Sequence, residues 1–113
     1  MEEEKLLKKY IDSFKDEKFC KDIINEAIFG FSEIKSYLEK KEIQSMLEIG
    51  SGTGVLLNEL KTHYPKIKMT GLEPFQSGHK KFKGIFENIK SNKLNIVNKS
   101  IEEFQTSEKF DLI

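Results

Sequence analysis

Three glycines alternate within one short segment of the chain, at Gly50, Gly52 and Gly54. An apolar run containing Glu48 precedes them, and a segment of helical periodicity follows, with Val55 as its first apolar residue. Without a side chain, glycine adopts positive φ angles and lets the backbone come into contact with a ligand. Backbone amides at the start of a helix favour anionic or polar groups. The segment therefore predicts a strand-to-helix turn that binds a ligand through its backbone.

The spacing of these glycines bears on which ligand the turn would bind. A dinucleotide-binding turn has the pattern Gly-x-Gly-x-x-Gly, in which the third glycine allows helix and strand to pack closely. Counted from Gly50, that third position is Val55, and the last glycine comes one residue earlier, at Gly54. The pattern is therefore Gly-x-Gly-x-Gly. It disfavours an NAD-dependent oxidoreductase, which stays as an alternative.

A second group suited to binding is the carboxylate of Glu73, which lies 19 residues after Gly54 and follows the next apolar segment. A carboxylate at this place can accept hydrogen bonds from both hydroxyls of a ribose, as an acidic residue does in dinucleotide-binding folds. The glycine turn and Glu73 together predict a site for a ligand that contains a nucleoside.

The periodicity of the apolar residues predicts the elements that must position these groups. Residues 2–42 have helical spacing, and the residues around Asp16 and Lys18 could divide them into two helices. Two further helices and four strands are predicted, the helices over 54–63 and 76–90 and the strands over 43–49, 66–72, 93–98 and from Phe110 onward. This alternation is typical of an α/β fold with a parallel sheet and right-handed crossovers.

Composition argues against several functional classes. Acidic and basic side chains balance at 19 each, and every basic residue is a lysine. The lack of arginine weakens the case for sequence-specific nucleic-acid binding, because phosphate and base-edge readers rely on its bidentate fork. Cys20 is the only cysteine, so neither an intrachain disulfide nor a cysteine-based metal site is expected. No secretory signal or membrane-spanning run is present, and we expect a reduced, cytoplasmic setting.

The two histidines and the cysteine receive structural interpretations. His63 precedes Tyr64 and Pro65 at a predicted helix end, where a cation is favoured by the helix dipole. His79 lies among lysines and is expected to be exposed. Cys20 lies on an apolar helix face and is expected to pack in the core.

The segment from Leu47 to Gly54 resembles the first motif of class I S-adenosylmethionine-dependent methyltransferases, in which a strand ends in an acid followed by Gly-x-Gly-x-Gly. In that family the glycine backbone lies against the methionine part of the cofactor, and the acid helps to hold its ammonium group, often through water. The resemblance implies that Glu48 is this acid and that the turn residues contact the cofactor, namely Gly50, Ser51, Gly52, Thr53 and Gly54.

The resemblance extends to residues that follow the second and third predicted strands. It implies that Glu73 binds the ribose and that Pro74 and Phe75, just beyond it, pack near the adenine. Many members place an aspartate after the third strand, where its carboxylate reaches the adenine amino group. Aligned by spacing, that position holds Ser100, and the candidates for the adenine contact are Ser100, Ile101 and Glu102.

The last residues, 109–113, resemble the start of the fourth strand of these enzymes. The implied fold is a Rossmann-like parallel sheet with strands 1 to 4 in the order 3-2-1-4. An N-terminal helical cap, residues 1–42, precedes a cofactor-binding subdomain, residues 43–113. We expect this subdomain to be incomplete, with acceptor-binding and catalytic residues beyond Ile113. These residues alone are expected to be marginally stable and inactive, and the exposed edge of the fourth strand could pair with another chain.

The resulting hypothesis is the cofactor-binding portion of an S-adenosylmethionine-dependent methyltransferase with an unknown acceptor. Two alternatives remain besides the oxidoreductase. The chain could be a non-catalytic remnant that still binds the cofactor, or an interaction module that uses its N-terminal helices. Neither a metal nor a membrane partner is indicated by the sequence.

Overall fold

A parallel sheet, flanked by helices, forms the body of the chain. The computed structural model describes residues 2–14, 16–40, 42–74 and 94–113. In chain order the elements are α1 (Glu3–Tyr10), a single 3-10 turn (Ile11–Ser13), α2 (Glu17–Lys40), β1 (Ser45–Ile49), α3 (Val55–His63), β2 (Lys68–Leu72) and β3 (Asn95–Val97). The helix predicted over 76–90 and the predictions for Phe75 and His79 lie outside the described residues.

The N-terminal helical region divides into α1 and α2, as the residues around Asp16 and Lys18 suggested. Phe14 has extended backbone angles, so the helical path stops there. Asp16 Oδ1 then accepts hydrogen bonds from the backbone amides of Lys18 at 2.8 Å and Phe19 at 3.3 Å. A carboxylate that accepts the first free amides of a helix is a stabilising N-cap. Asp16 therefore starts α2 after the break.

The three strands run parallel in the spatial order β1-β2-β3. The remaining edge of β1 is used by the C-terminal segment, because Met46 forms a parallel bridge with Leu112. Leu47 N donates to Leu112 O at 2.9 Å. On the side that faces β2, Gln44 O instead accepts from Lys68 N. The predicted fourth strand thus begins beside β1, on the side away from β2, and the predicted order 3-2-1-4 is confirmed.

The C-terminal segment is also held to β1 by a side chain. Asp111 Oδ2 accepts hydrogen bonds from the backbone amides of Gln44 at 2.8 Å and Ser45 at 3.2 Å. Ser45 is the first residue of β1. Asp111 therefore has a structural contact that fixes where β1 begins.

Helix α2 packs across α3, and the two helices cover one side of the sheet. Gly30 allows their close approach, since a Cβ at this position would lie 2.8 Å from Leu56 Cδ2. Cys20 is fully buried, as expected for a packing residue. The buried apolar residues form two clusters, one of Leu6, Tyr10, Phe14, Cys20, Ile24, Ala27 and Val55 and the other of Phe31, Leu38, Met46, Leu57, Leu60, Ile67 and Met69.

A buried polar network joins α1 to α3. Tyr10 donates from its hydroxyl to Glu59 Oε2 at 2.5 Å, and Asn58 Nδ2 donates to the same hydroxyl at 2.6 Å. Lys9 Nζ lies 2.6 Å from Glu59 Oε2 and balances its charge. Burial, followed by the hydrogen bond to Glu59, raises the pKa of Tyr10 above its usual value. The N-terminal helix is thus attached to the helix that begins at the glycine turn.

Helix α3 ends at His63, before Tyr64 and Pro65, as predicted. His63 Nδ1 lies 2.9 Å from Glu59 O, and its ring packs edge-on against Phe31 with a centroid distance of 4.8 Å. These contacts agree with the structural interpretation of His63. Within the described ranges, no helix combines the length and the apolar character required to cross a membrane.

Candidate functional site

The glycine turn lies at the carboxyl end of β1 and has the conformation that its sequence predicted. Gly50, Gly52 and Gly54 have φ angles of 75°, 56° and 83°. A residue with a Cβ in this left-handed region costs about 1–2 kcal/mol. A Cβ on Gly50 or Gly52 would meet none of the described atoms within 4 Å. The turn therefore needs glycine for its backbone angles, and the described residues leave open space next to Gly50 and Gly52.

Hydrogen bonds hold this turn against the end of β2. The backbone amides of Gly50 and Ser51 both donate to Leu72 O, at 2.8 and 2.9 Å. Gly54 N donates to Ser51 O at 2.9 Å and closes the turn. The turn is thus fixed by backbone contacts before α3 begins, as expected for a site that must approach a ligand with its main chain.

The N-terminus of α3 provides free donors next to the turn. Its N-cap is Gly54, which has no side chain to accept a hydrogen bond. The first helical hydrogen bond to this cap is donated by Asn58 N to Gly54 O at 2.9 Å. The amides of the first residues of a helix have no intrahelical acceptor, and with the helix dipole they favour polar or anionic groups.

A cavity of about 170 Å³ lies between the turn and α2. Glu48 and the turn form one wall, and α2 forms the opposite one. The α2 residues were not among those predicted for the site, because a helical pattern does not show what the helix packs against. The lining residues are Ile23, Glu26, Ala27, Glu48, Gly50, Ser51, Gly52, Thr53, Val55 and Leu56.

Two polar atoms in this cavity wall have unmet hydrogen-bonding capacity. Glu48 Oε1 and Ser51 Oγ are buried and lack a hydrogen-bond partner among the described residues. Buried polar atoms normally have a partner, because an unpaired one loses the free energy of its contacts with water. A ligand with donor groups in the cavity would satisfy both atoms. Thr70 Oγ1 is likewise without a partner among the described residues, but Thr70 does not line the cavity.

Glu73 is positioned at the same edge of the sheet. Its backbone amide donates to Val97 O at 3.0 Å, and its carbonyl accepts from Asn98 Nδ2 at 2.9 Å. These contacts place Glu73 between the ends of β2 and β3, and the residue is only 9% exposed. Because parallel strands end at one edge of a sheet, Glu48 and Glu73 are close enough to repel each other.

Burial and the neighbouring Glu73 carboxylate both change the pKa of Glu48. Burial, and then the negative charge of Glu73, raise the pKa of Glu48 from 4.5 to about 7. Within the described residues, no three His, Cys, Asp or Glu side chains form a group that could hold a metal ion. Among the described residues, the Glu48 carboxylate therefore has neither a hydrogen-bond donor nor a metal-binding cluster to stabilise its charge.

Stability should depend on pH through this carboxyl group. As pH rises, a glutamate in the unfolded chain loses its proton near pH 4.5, whereas Glu48 in the folded chain keeps it until about pH 7. Its contribution to stability is therefore complete below pH 4.5 and is lost as pH rises to about 7. Relative to wild type, Glu48→Gln should gain about 3 kcal/mol of unfolding free energy between pH 4.5 and pH 8.

Urea unfolding of both proteins at several pH values measures this relative gain. Comparing the two proteins at each pH cancels the titration of the groups that do not interact with Glu48. A difference between them that stays constant from pH 4.5 to pH 8 would contradict the assignment.

The remaining predicted residues of the described chain lie outside the cavity lining. Pro74 is exposed and follows Glu73 directly. After β3, Ser100 donates from its hydroxyl to Glu103 Oε1 at 3.0 Å, and Glu103 N donates back to Ser100 O at 3.2 Å. Ile101 and Glu102 are exposed, and Ile101 keeps 45% of its surface accessible. Like Glu73, these residues follow the ends of β2 and β3 and do not line the cavity.

Solved structures that share this architecture include two methyltransferases. The chain is similar to coclaurine N-methyltransferase bound to N-methylheliamine and SAH, with a TM-score of 0.60 and 16% identity over 76% of this chain. It is also similar to the plantazolicin methyltransferase BpumL in complex with SAH, with a TM-score of 0.52 and 24% identity over 65% of this chain. The fold is that of the Rossmann-like methyltransferases.

A second structure of BpumL, in complex with a triazolic desmethylPZN analog and SAH, has a TM-score of 0.55 and 21% identity over 77% of this chain. The chain spans only 26% to 32% of the length of these enzymes. No protein-family model and no curated protein match the sequence. The likeness to the methyltransferase fold therefore rests on the arrangement of the backbone.

Proposed function

We propose that this chain is the cofactor-binding portion of an S-adenosylmethionine-dependent methyltransferase. The observation that carries the proposal is the open glycine turn beside a cavity in which Glu48 Oε1 and Ser51 Oγ have no partner among the described residues. Both structural neighbours were crystallised with SAH, the product that S-adenosylmethionine leaves after transfer. Donors of the cofactor's methionine part would satisfy the two unpaired atoms.

The proposed contacts follow the positions of these residues along the edge of the sheet. The methionine part would lie against Gly50–Gly54, with its ammonium near Glu48. The ribose hydroxyls would donate to Glu73, which comes next along the edge. The adenine would extend toward Pro74 and toward the exposed Ile101 of the turn after β3, with Ser100 and Glu102 beside it. The contact of Phe75 stays a prediction, since it lies outside the described residues.

The chemistry expected of such a complex needs little from these residues beyond binding. Bound S-adenosylmethionine supplies a methyl group on a sulfonium, which a nucleophile of the acceptor displaces in line. The chain would hold the cofactor in one orientation, and accurate positioning accounts for much of the rate of such a reaction. None of the described residues is assigned a catalytic role. The acceptor of this chain is not assigned, although one structural neighbour is an N-methyltransferase.

The setting and organisation of the chain are part of the proposal. We assign residues 1–42 to a cap and 43–113 to the cofactor-binding subdomain, with pairing at the edge beside Leu112 as a route to assembly. A cytoplasmic location would agree with Cys20, which is a free, buried thiol.

The dinucleotide alternative is opposed by charge as well as by glycine spacing. A pyrophosphate binds best where basic groups or free amides surround it. The cavity lining includes two glutamates and no Lys or His among the described residues. An ammonium in the cavity stabilises the charged form of Glu48, whereas a pyrophosphate would be repelled by it, so the two glutamates favour the head group of S-adenosylmethionine over the pyrophosphate of NAD.

Isothermal titration calorimetry with SAH, S-adenosylmethionine and NAD separates the alternatives. We expect saturable binding of SAH and S-adenosylmethionine at one site, and NAD binding weaker by about 100-fold or more. Tighter binding of NAD would contradict the proposal in favour of an oxidoreductase. Binding of none of the three would favour a remnant or an interaction module.

A further inference from the structure

Helix α2 contributes a carboxylate to the cavity that the glycine-turn motif does not include. Ile23, Glu26 and Ala27 have the spacing of one helical face, and all three line the cavity. Ala27 is 3% exposed and packs in the core, whereas Glu26 is exposed. Glu26 therefore lies where the packed face of α2 meets the cavity, opposite the turn.

The carboxylate of Glu26 has no hydrogen-bond or ion-pair partner in the part of the chain that the structure describes. Two other glutamates of α2 have one, since Glu17 pairs with Lys21 and Glu39 accepts a hydrogen bond from Tyr64. An exposed glutamate can be satisfied by water alone, so its exposure by itself does not indicate a ligand.

A second observation points to a ligand at this place. Ser51 is 8% exposed and lines the same cavity, and its Oγ is buried without a partner among the described residues. Glu48 Oε1 is unpaired in the same way. The cavity therefore contains unmet hydrogen-bonding capacity that does not depend on Glu26.

The charges around the cavity match those of a free amino-acid head group. Glu26 and Glu48 make the lining negative, and the free amides at the start of α3 supply donors near the turn. An α-ammonium would be attracted to the two carboxylates, and an α-carboxylate to the amides. The volume of about 170 Å³ is below the roughly 300 Å³ at which pockets begin to hold whole drug-sized ligands. The cavity thus suits the amino-acid end of a larger ligand.

We propose that Glu26 is a second carboxylate ligand for the methionyl ammonium of the cofactor, opposite Glu48. Helix α2 is then part of the cofactor site as well as of the predicted cap. This inference rests on the proposed function, because it assigns one contact of that same site. The carboxylate of Glu26 acts by charge, so a neutral side chain of the same shape should not replace it.

Calorimetry with two ligands tests this contact in the full chain. SAH carries the amino-acid group, whereas 5′-methylthioadenosine has the adenosine and sulfur but lacks that group. We expect Glu26→Gln to weaken SAH binding about fivefold, the size of a partly exposed charge contact. Binding of 5′-methylthioadenosine should not change, and Glu26→Asp should retain more SAH affinity than Glu26→Gln.

A matched control lies on the same helix. Glu33 is exposed, follows Glu26 by two turns and does not line the cavity, so Glu33→Gln removes the same charge without touching the site. It should leave the affinities for both ligands unchanged. Equal SAH affinity of wild type and Glu26→Gln would overturn the inference while the proposed function stands. An equal loss of both ligands in Glu26→Gln would also overturn it, and failure of the wild type to bind either ligand would overturn both.

Discussion

Replacing Glu73 with alanine should weaken SAH binding by about 10- to 100-fold. The proposed role of this carboxylate is to accept hydrogen bonds from both ribose hydroxyls. Hydrogen bonds to a charged acceptor contribute about 1.5–3 kcal/mol each, part of which the variant would recover through water. Glu73 is 9% exposed, so little solvent competes for its oxygen atoms. Titration calorimetry with SAH measures the loss directly.

A companion variant separates binding from stability. Glu73→Gln keeps the shape of the side chain but removes a buried charge that repels Glu48. We expect it to lose SAH affinity while its free energy of unfolding stays equal to that of the wild type or rises. The pKa of Glu48 should fall in this variant, so the pH dependence of stability should shift to lower pH. Wild-type affinity in Glu73→Ala, with Glu33→Ala as the surface control, would refute the assigned role.

Replacing Gly71 with alanine should destabilise the chain by about 2–3 kcal/mol and also weaken SAH binding. Gly71 lies in β2, opposite Glu48 in β1 and Ile96 in β3. A Cβ there would lie 2.8 Å from both Cβ and Oγ of Ser51 and 2.9 Å from Ile96 Cδ1. The end of the Ile96 side chain can rotate away, but Ser51 Cβ is attached to the backbone of the glycine turn. Overpacking of this kind costs about 1–3 kcal/mol, and here it would displace the turn itself.

Gly30→Ala is the matched control for this prediction. Its Cβ would also meet an atom at 2.8 Å, but that atom is Leu56 Cδ2, at the end of a flexible side chain. Alanine in a helix interior gains about 1 kcal/mol over glycine, which offsets the adjustment of Leu56. We expect Gly30→Ala to stay within about 1 kcal/mol of the wild type in urea unfolding. A Gly71→Ala variant as stable as Gly30→Ala, with unchanged SAH affinity, would contradict the role of Gly71.

The parts of the site that follow from local rules were predictable from the sequence. Three alternating glycines required positive φ angles, and the angles of Gly50, Gly52 and Gly54 confirm this. Glu48 and Glu73 come at or after the ends of parallel strands, which meet at one edge of a sheet, so their proximity followed from the predicted topology. The break before α2 was indicated by Asp16, whose carboxylate caps the helix.

Other features depend on contacts between residues distant in sequence. Glu26 lines the cavity because α2 packs beside the glycine turn. Asn58 and Glu59 are buried because Tyr10, 48 and 49 residues away, supplies their polar partner. Helical periodicity alone places such polar residues on the solvent side. These positions could not be predicted without knowing how the helices pack.

One missed feature did have a local signal. Ser100 and Glu103 have the Ser-x-x-Glu spacing of a capping box. The structure shows one half of it, since Glu103 Oε1 accepts from the backbone amide of Ser100 at 3.4 Å and from its hydroxyl at 3.0 Å. The hydroxyl of Ser100 is therefore engaged by Glu103. The exposed apolar side chain of Ile101 is therefore better placed than Ser100 for the proposed adenine contact.

Nuclear magnetic resonance of the 15N-labelled chain titrated with SAH tests the central claim most directly. Each backbone amide gives its own signal, so the spectrum reports where the ligand binds as well as whether it binds. We expect saturable shifts for the amides of Gly50–Gly54 and of Glu73. A separate groove lies between α1 and α3, and its residues, such as Lys5 and Thr62, should not shift. Saturable binding that leaves the Gly50–Gly54 amides unshifted would contradict the account.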